Sequence, residues 1–366
     1  MSTVAILGAG AGGCAAAVEL VAAGHTVRLW NRGAATLAPH LAAGGVRARG
    51  VLGAGLTRVV TVTTDLAVAL DTADVAVVCL PALAHEALAD DLVAAGADIP
   101  LVLNPGHTLG AAHVAARYRA ASTSPPPIAE FSTLTYVARK DADGTVHVTG
   151  RAGRVRAAAF GPDQRALAHA RDLWPAAAPE PDVLATSLAN VNLVLHPPAA
   201  VLAAAWVEAT GGDFRYYAEA TTPAVAAVMH ALDEERLAVA RAYGHDLDPL
   251  VAEMHAIGTV DTVPAGRPDV ETLRVAVATG AANATIRGPG SLTHRYYRED
   301  FPYGVVPFLE LARIAGVAAP TASALLTLAD TALGGTATRD GLTLARLGLY
   351  PDEPDALRGL VTEGTP

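Results

Sequence analysis

The stretch TVAILGAGAGGCAAAVELVAAGHTVRLWNR (3–32) decides how the rest of the chain is read. Val4–Leu7 is a short apolar run suited to a buried strand, small residues fill Gly8 to Gly13, and Cys14–Ala23 has the composition of a helix. Gly24 stops that helix, and His25–Trp30 reads as a second strand. Gly8 permits the tight turn, and Gly10 lets backbone approach a pyrophosphate. Gly13 lets the helix lie close on the strand with its N-terminal amides facing the anion. The spacing therefore predicts a dinucleotide site, a glycine-rich turn of another α/β protein being the competing reading.

The end of the second strand bears on which dinucleotide is bound. An Asp or Glu there would take the ribose 2′-hydroxyl of NAD, but this chain has Asn31-Arg32. No carboxylate repels a 2′-phosphate, and Arg32 can pair with one. NADP(H) is expected over NAD(H), with a solvated surface arginine as the plainer alternative.

Alternating elements continue. DVAVVCLP (74–81) and PLVLNPG (100–106) read as buried parallel strands, with a helix over His85–Ala95 between them. Strand ends in such a sheet line the ligand crevice, so Leu80, Pro81 and the segment Asn104–His107 are expected on the nicotinamide side. IAEFSTLTYVARK (128–140), TVHVTG (145–150) and RVRAAAF (154–160) read as strands closing the domain, after a loop STSPPP (122–127). Beyond WPAAAPEPD (174–182) the pattern changes to helices. One runs from Pro223 to about Tyr243 behind Thr222, one from Val306 to Ala315, and one follows Pro320 with Thr321 as its expected N-cap. The expected architecture is an α/β domain with a parallel, doubly wound sheet and added strands over 1–180, followed by an all-α domain over 181–366.

Composition narrows the function. The chain has 366 residues, 52% of them hydrophobic, and a net charge of −10 with no basic run beyond RAGRVR (151–156), so nucleic acid is not an expected partner. The most apolar windows, Val4–Ala23 and Leu188–Val207, are broken by glycines or by Asn, His and Pro, which speaks against a membrane span. The opening MSTVAILGAG lacks the basic start of a signal peptide, and a cytoplasmic location is expected. Cys14 and Cys79 exclude a disulfide framework by number, and neither HxxxH nor CxxC spacing occurs, so no metal is expected. Alanine-lined helical faces make a homodimer the expected assembly.

NVNLVLHPP (190–198) places polar Asn190, Asn192 and His196 in an otherwise apolar run. Asn192 and His196 are four apart and share a helix face. Pro197 and Pro198 are expected to interrupt the helix directly after the histidine. A histidine at a helix break suits proton transfer; a satisfied core histidine is the alternative. HRYYREDFPYG (294–304) favours the first, because Asp300 could orient an imidazole and Arg295 could clamp a carboxylate with its planar fork, a surface loop being the equal alternative on spacing alone.

The glycine motif, AEFSTLTYVAR (129–139), NVNLVLHPP and HRYYREDFPYGVVP (294–307) together resemble the octopine/nopaline (opine) dehydrogenase family over nearly the whole chain. The resemblance implies a Rossmann domain followed by a helical substrate domain. It also implies an enzyme that condenses an amino acid or amine with a 2-oxo acid such as pyruvate and reduces the C=N with NAD(P)H. The family's catalytic histidine and aspartate fall on His196 and Asp300, its carboxylate-binding arginine on Arg295, and its substrate-contacting amide on Asn192. His107, where the family pattern has glutamine or a small polar residue, and Thr133 complete the expected substrate contacts. Thr135 stands where the family often has proline. The alternatives are a 3-hydroxyacid or ketopantoate-type NADP dehydrogenase acting on a carbonyl alone, and a non-catalytic NADPH-binding protein. The first generally uses a helical-domain lysine, whereas the only lysine here is Lys140.

Overall fold

The computed structural model describes residues 1–262, 266 and 268–364. The chain divides into two units: residues 1–106, 110–183 and 362–364 form the first, and 107–109 and 184–361 the second. Three residues, His107 to Leu109, thus leave the α/β unit for the helical one before the chain returns.

The first unit holds strands β1 (Thr3–Leu7), β2 (Thr26–Trp30), β3 (Val46–Gly50), β4 (Gly55–Thr57), β5 (Thr61–Thr63), β6 (Val75–Val78), β7 (Leu101–Leu103), β8 (Ile128–Phe131), β9 (Tyr136–Lys140), β10 (Val146–Arg151), β11 (Val155–Phe160) and β12 (Ala177–Pro179). Eight of them form one sheet in the order β12-β11-β8-β7-β6-β1-β2-β5. All its neighbours run parallel except β8 and β11, which pair antiparallel. β6, β7 and β1 from Val4 onward are fully buried apolar runs, as strands covered on both faces must be. This is the doubly wound Rossmann arrangement the glycine motif called for. The strands after residue 128 do not all close that sheet, however. β9 and β10 join β3 and β4 in a second, four-stranded sheet.

The helix Ala11–Ala22 packs against β3, β9 and β10, so it lies between the two sheets. Its Glu19 carboxylate is the anchor, ion-paired with Arg151 and hydrogen-bonded by Tyr136 and Trp174. Burial and the Glu19 charge both push the Tyr136 phenol well above its ordinary pKa.

Among its described residues the second unit contains helices and no strand. The long helix Pro223–Ala242 begins with Pro223 at its first position, where the missing N–H costs nothing, and Thr222 accepts from the Val225 amide. Two expectations fail here. Thr321 is not the N-cap of Pro320–Ala332; Ala319 precedes that helix, and the amides of Thr321 and Ala322 are taken by the Glu235 carboxylate at 2.6 and 3.0 Å. A distant side chain caps the helix instead of a local hydroxyl, which no spacing rule could find.

Nor do Pro197 and Pro198 break the helix carrying His196. It runs unbroken over Val191–Leu202, and the chain turns by 66° only at Ala203. The two prolines deny donors to the carbonyls of Leu193 and Val194. Burial on nearly every side compensates, and tyrosine hydroxyls donate to two other carbonyls of the helix: Tyr216 to His196 and Tyr297 to Ala200, each at 2.9 Å. No single helix is long and apolar enough to cross a membrane, although Val183–Leu202 and Ala204–Thr210 pass that test as a bent pair.

Arg236, at 2% exposure, fixes the long helix to its neighbours. It donates to Asp233, to the Leu188 carbonyl and to the Asp248 carbonyl, while Asp233 also accepts the Leu250 amide. Breaking such a pair leaves a buried charge alone. Arg236→Met should lower the urea-unfolding free energy by about 3–5 kcal/mol, and adding Asp233→Leu should restore much of the loss.

Candidate active site

The glycine loop has the shape the motif requires. Gly8 sits at φ +120°, and a Cβ there would meet the Cys79 carbonyl at 2.5 Å and the Leu80 side chain at 2.8 Å. A Cβ on Gly13 would fall 1.8 Å from the Gly8 carbonyl, so helix and strand approach as closely as glycine allows. Gly10 faces open space, with nothing within 4 Å of its Cβ position. It heads a twelve-residue helix whose N-terminus no side chain caps and whose first turn has no acidic residue. That is a cradle for an anion, and the residues fit a nicotinamide dinucleotide.

Neighbouring side chains hold the loop. Asn31 accepts the Ala9 amide at 3.2 Å and donates to the Gly33 carbonyl, so it braces the turn directly. Lys140 donates to the Ala9 carbonyl at 2.7 Å, which gives the chain's sole lysine a structural partner in the first unit. Arg32 is exposed. Leu80 and Pro81 follow β6 beside Gly8, with the Leu80 carbonyl 3.3 Å from His85 Nε2. Cys14 and Cys79 are free and buried, and burial pushes both thiols up to about 12. They are inert small core residues.

The second unit gathers the other candidates. His196 Nδ1 lies 2.8 Å from Asp300 Oδ2, and Nε2 lies 2.8 Å from the Tyr217 hydroxyl. Both His196 and Asp300 are buried, and the Tyr296 ring lies over the imidazole with centroids 4.0 Å apart and planes tilted by 32°. Glu299 ends the short helix Arg295–Arg298, and Asp300 heads a wide π-type turn over Phe301–Val305, a local irregularity frequent where a side chain must be aimed. His294, which heads that short helix, accepts the Tyr296 amide at 3.3 Å.

A second histidine–carboxylate pair adjoins the first. His107 Nε2 lies 3.1 Å from Glu299 Oε1, and Glu299 Oε2 lies 3.0 Å from Arg295 Nε. Burial opposes charge on His107, but Glu299, with a contribution from Asp300, outweighs it and holds the imidazole above its ordinary pKa. Glu299 also raises the Arg295 pKa. The Arg295 side chain remains 47% exposed, so the guanidinium is anchored at one edge and reachable at the other. Asn190 caps the His196 helix through the Asn192 amide and turns its own amide group toward His107 Nδ1 and Thr108 Oγ1, each at 3.4 Å. Asn192, half-buried, sits one turn before His196.

His196, Asp300, Arg295, Asn192 and His107 thus share one unit. His107 is a correction: expected at the end of a sheet strand, it leaves that unit at φ +64° and pairs with Glu299. Thr133 lies buried in the first unit between β8 and β9 and is not part of the second-unit cluster. Thr135, the other departure from the family pattern, exchanges two hydrogen bonds with the Asn104 side chain, one from its own amide. Proline could not make that bond. Glu130 accepts the Ala111 amide at the start of helix Gly110–Ala120, a structural task. Sequence reading passed over Glu299 and Tyr217. Glu299 stood inside the quoted cluster, but nothing in spacing brings Tyr217 to His196. Among the described residues no group of three or more His, Cys, Asp or Glu could hold a metal ion.

An α/β dinucleotide unit joined to a helical unit with a buried histidine–carboxylate pair defines a nicotinamide-dependent dehydrogenase. Comparisons with known proteins agree. Residues 179–333 match the family described as NAD/NADP octopine/nopaline dehydrogenase, alpha-helical domain, and residues 4–161 match ketopantoate reductase PanE/ApbA. The chain is 32% identical over 350 residues, 95% of each protein, to an opine dehydrogenase of Arthrobacter sp. (strain 1C). Its fold is similar to octopine dehydrogenase solved with NADH and L-arginine, at a TM-score of 0.70 and 21% identity over 100% of this chain and 97% of that one. It is likewise similar to yersinopine dehydrogenase with NADP⁺, at 0.69 and 18% over 100% and 98%. The chain belongs to the opine dehydrogenase family, NAD(P)-dependent oxidoreductases acting on CH–NH donors.

Proposed function

We propose that this enzyme condenses an amino acid or amine with a 2-oxo acid such as pyruvate and reduces the resulting C=N bond. The buried His196–Asp300 pair, on the same unit as the half-exposed Arg295 guanidinium, carries this reading. Octopine dehydrogenase has been solved with NADH and L-arginine, with agmatine and with pyruvate, which is the same pairing of amine and oxo acid. In this reading the first unit, close to residues 1–180, binds the dinucleotide through Gly8, Gly10, Gly13, Asn31, Arg32, Leu80 and Pro81. A reduced nicotinamide bound there supplies the hydride.

The second unit, from about residue 181, handles the substrates. Asp300 accepts from Nδ1 and fixes the tautomer of His196, so that Nε2 is the nitrogen exchanging the working proton. Arg295 holds a substrate carboxylate by its exposed edge, with Glu299 keeping the fork aimed. His107, its imidazole held above its ordinary pKa by Glu299, adds a second basic group for an oxo-acid carboxylate, and Asn192 contacts substrate from the His196 helix. Thr133, buried in the first unit, is proposed as a further substrate contact. The ketopantoate reductase family model matches residues 4–161, and no lysine occurs in the helical half, which disfavours carbonyl-only chemistry of the lysine-dependent kind. The buried, unpaired cysteines fit a reducing compartment, and the cytoplasm is the proposed location.

The test is NADPH oxidation with a matrix of amino acids and amines against pyruvate, glyoxylate and other oxo compounds, each component also run alone. Turnover is expected only when amine and carbonyl are both present; turnover with a carbonyl alone would replace this reading by a hydroxyacid-type one. His196→Ala should lower kcat roughly 10²–10⁴-fold, with the NADPH Kd unchanged within about twofold. NADP(H) is the proposed cofactor, resting on Arg32 and on the lack of a carboxylate after β2. Arg32→Ala should weaken NADPH by roughly tenfold or more and leave NADH nearly unaffected, as fluorescence titration would show.

A further inference from the structure

The His196 ring is engaged at both nitrogens inside one unit. Asp300 Oδ2 holds Nδ1 at 2.8 Å, and the Tyr217 hydroxyl lies 2.8 Å from Nε2. A carboxylate only accepts, so Nδ1 keeps its proton toward Asp300 and Nε2 does the exchanging. An imidazole nitrogen has a single in-plane position, and here a phenol occupies it. A proton passing between His196 and a substrate therefore travels through Tyr217 or requires the phenol to leave.

Several contacts oppose its leaving. Tyr217 is buried, and its ring meets Tyr216 edge-to-face at 5.4 Å. Tyr216 is bound at both ends, its amide to the Ile286 carbonyl at 2.8 Å and its hydroxyl to the His196 carbonyl at 2.9 Å. The segment before them is locked by close backbone packing: a Cβ on Gly288 would fall 2.6 Å from the Phe214 ring. Consecutive tyrosines thus grip one histidine, Tyr216 by its backbone and Tyr217 by its ring.

We propose that the Tyr217 hydroxyl is the terminal proton carrier of the active site, passing protons between His196 Nε2 and the reacting substrate. The assignment rests on the amine-plus-oxo-acid reading, in which a carbinolamine must lose its hydroxyl. The departing oxygen takes the phenol proton while the phenol oxygen takes the Nε2 proton. The C–O bond breaks, the nitrogen lone pair closes the C=N bond, and water leaves. One proton is consumed, and the positive charge moves from imidazolium to iminium, with Tyr217 neutral before and after.

The experiment compares the parent enzyme with Tyr217→Phe in mixtures of H₂O and D₂O, using an amine and oxo-acid pair the parent turns over. NADPH titration and thermal unfolding report whether the variant is folded. Two protons in flight should bow the parent's proton inventory. In Tyr217→Phe kcat should fall at least about tenfold and the inventory should become linear, while the NADPH Kd stays within about twofold. Turnover kept within about twofold, or a bowed inventory retained in the variant, would reduce Tyr217 to a placeholder that substrate displaces. A linear or absent dependence in the parent would overturn the relay without any variant. Should the parent reduce a carbonyl alone, the condensation reading fails, and the same comparison on that reaction still reads the relay.

Discussion

The contact between Asp300 Oδ2 and His196 Nδ1 is the constraint to which the helical unit is fitted. Both groups are almost entirely out of water, where a charge survives only if paired and hydrogen-bonded. Keeping the pair aligned requires a rigid histidine. Its helix runs through two prolines, and the hydroxyls of Tyr216 and Tyr297 donate to carbonyls along it. The aspartate in turn needs a backbone that departs from regular helix, which the wide turn beginning at Phe301 supplies.

Glu299 and Asp300 are adjacent in sequence, yet each faces a different histidine. Two buried carboxylates side by side would repel strongly, and one would bind a proton, unless cations met them. Arg295 on Glu299 Oε2 and the raised His107 supply that charge. The outcome is a cluster whose two carboxylates are committed inside and whose positive edge, the exposed part of Arg295, remains available for an anion. In the first unit the electrostatics are simpler. An uncapped helix N-terminus, a loop held at Ala9 by Asn31 and Lys140, and no acidic residue in the first turn leave backbone amides to face a phosphate.

His107 shows how a strand-end position can place its side chain in the other unit. The end of a parallel strand is where ligands bind in such sheets, which is why the segment from Asn104 was expected beside the nicotinamide. Asn104 turned out to be structural, bonded to Thr135, and His107 crosses to the helical unit in a left-handed conformation. The prolines after His196 misled for a related reason. Propensity describes an isolated helix, and a buried one with tyrosine donors beside it can carry both.

The sequence by itself determined the parallel sheet, the glycine loop and the change to helices, and its motifs, through the family they resemble, pointed to His196 beside Asp300. Those features are carried by periodicity, by glycine's unique backbone and by motifs that survive intact in the chain. Only the tertiary structure decided that Tyr217 meets Nε2, that Glu299 bridges His107 and Arg295, and that Glu235 caps a helix 86 residues away. Each of those contacts joins side chains from separate elements, and their distances follow from packing, which no local pattern encodes.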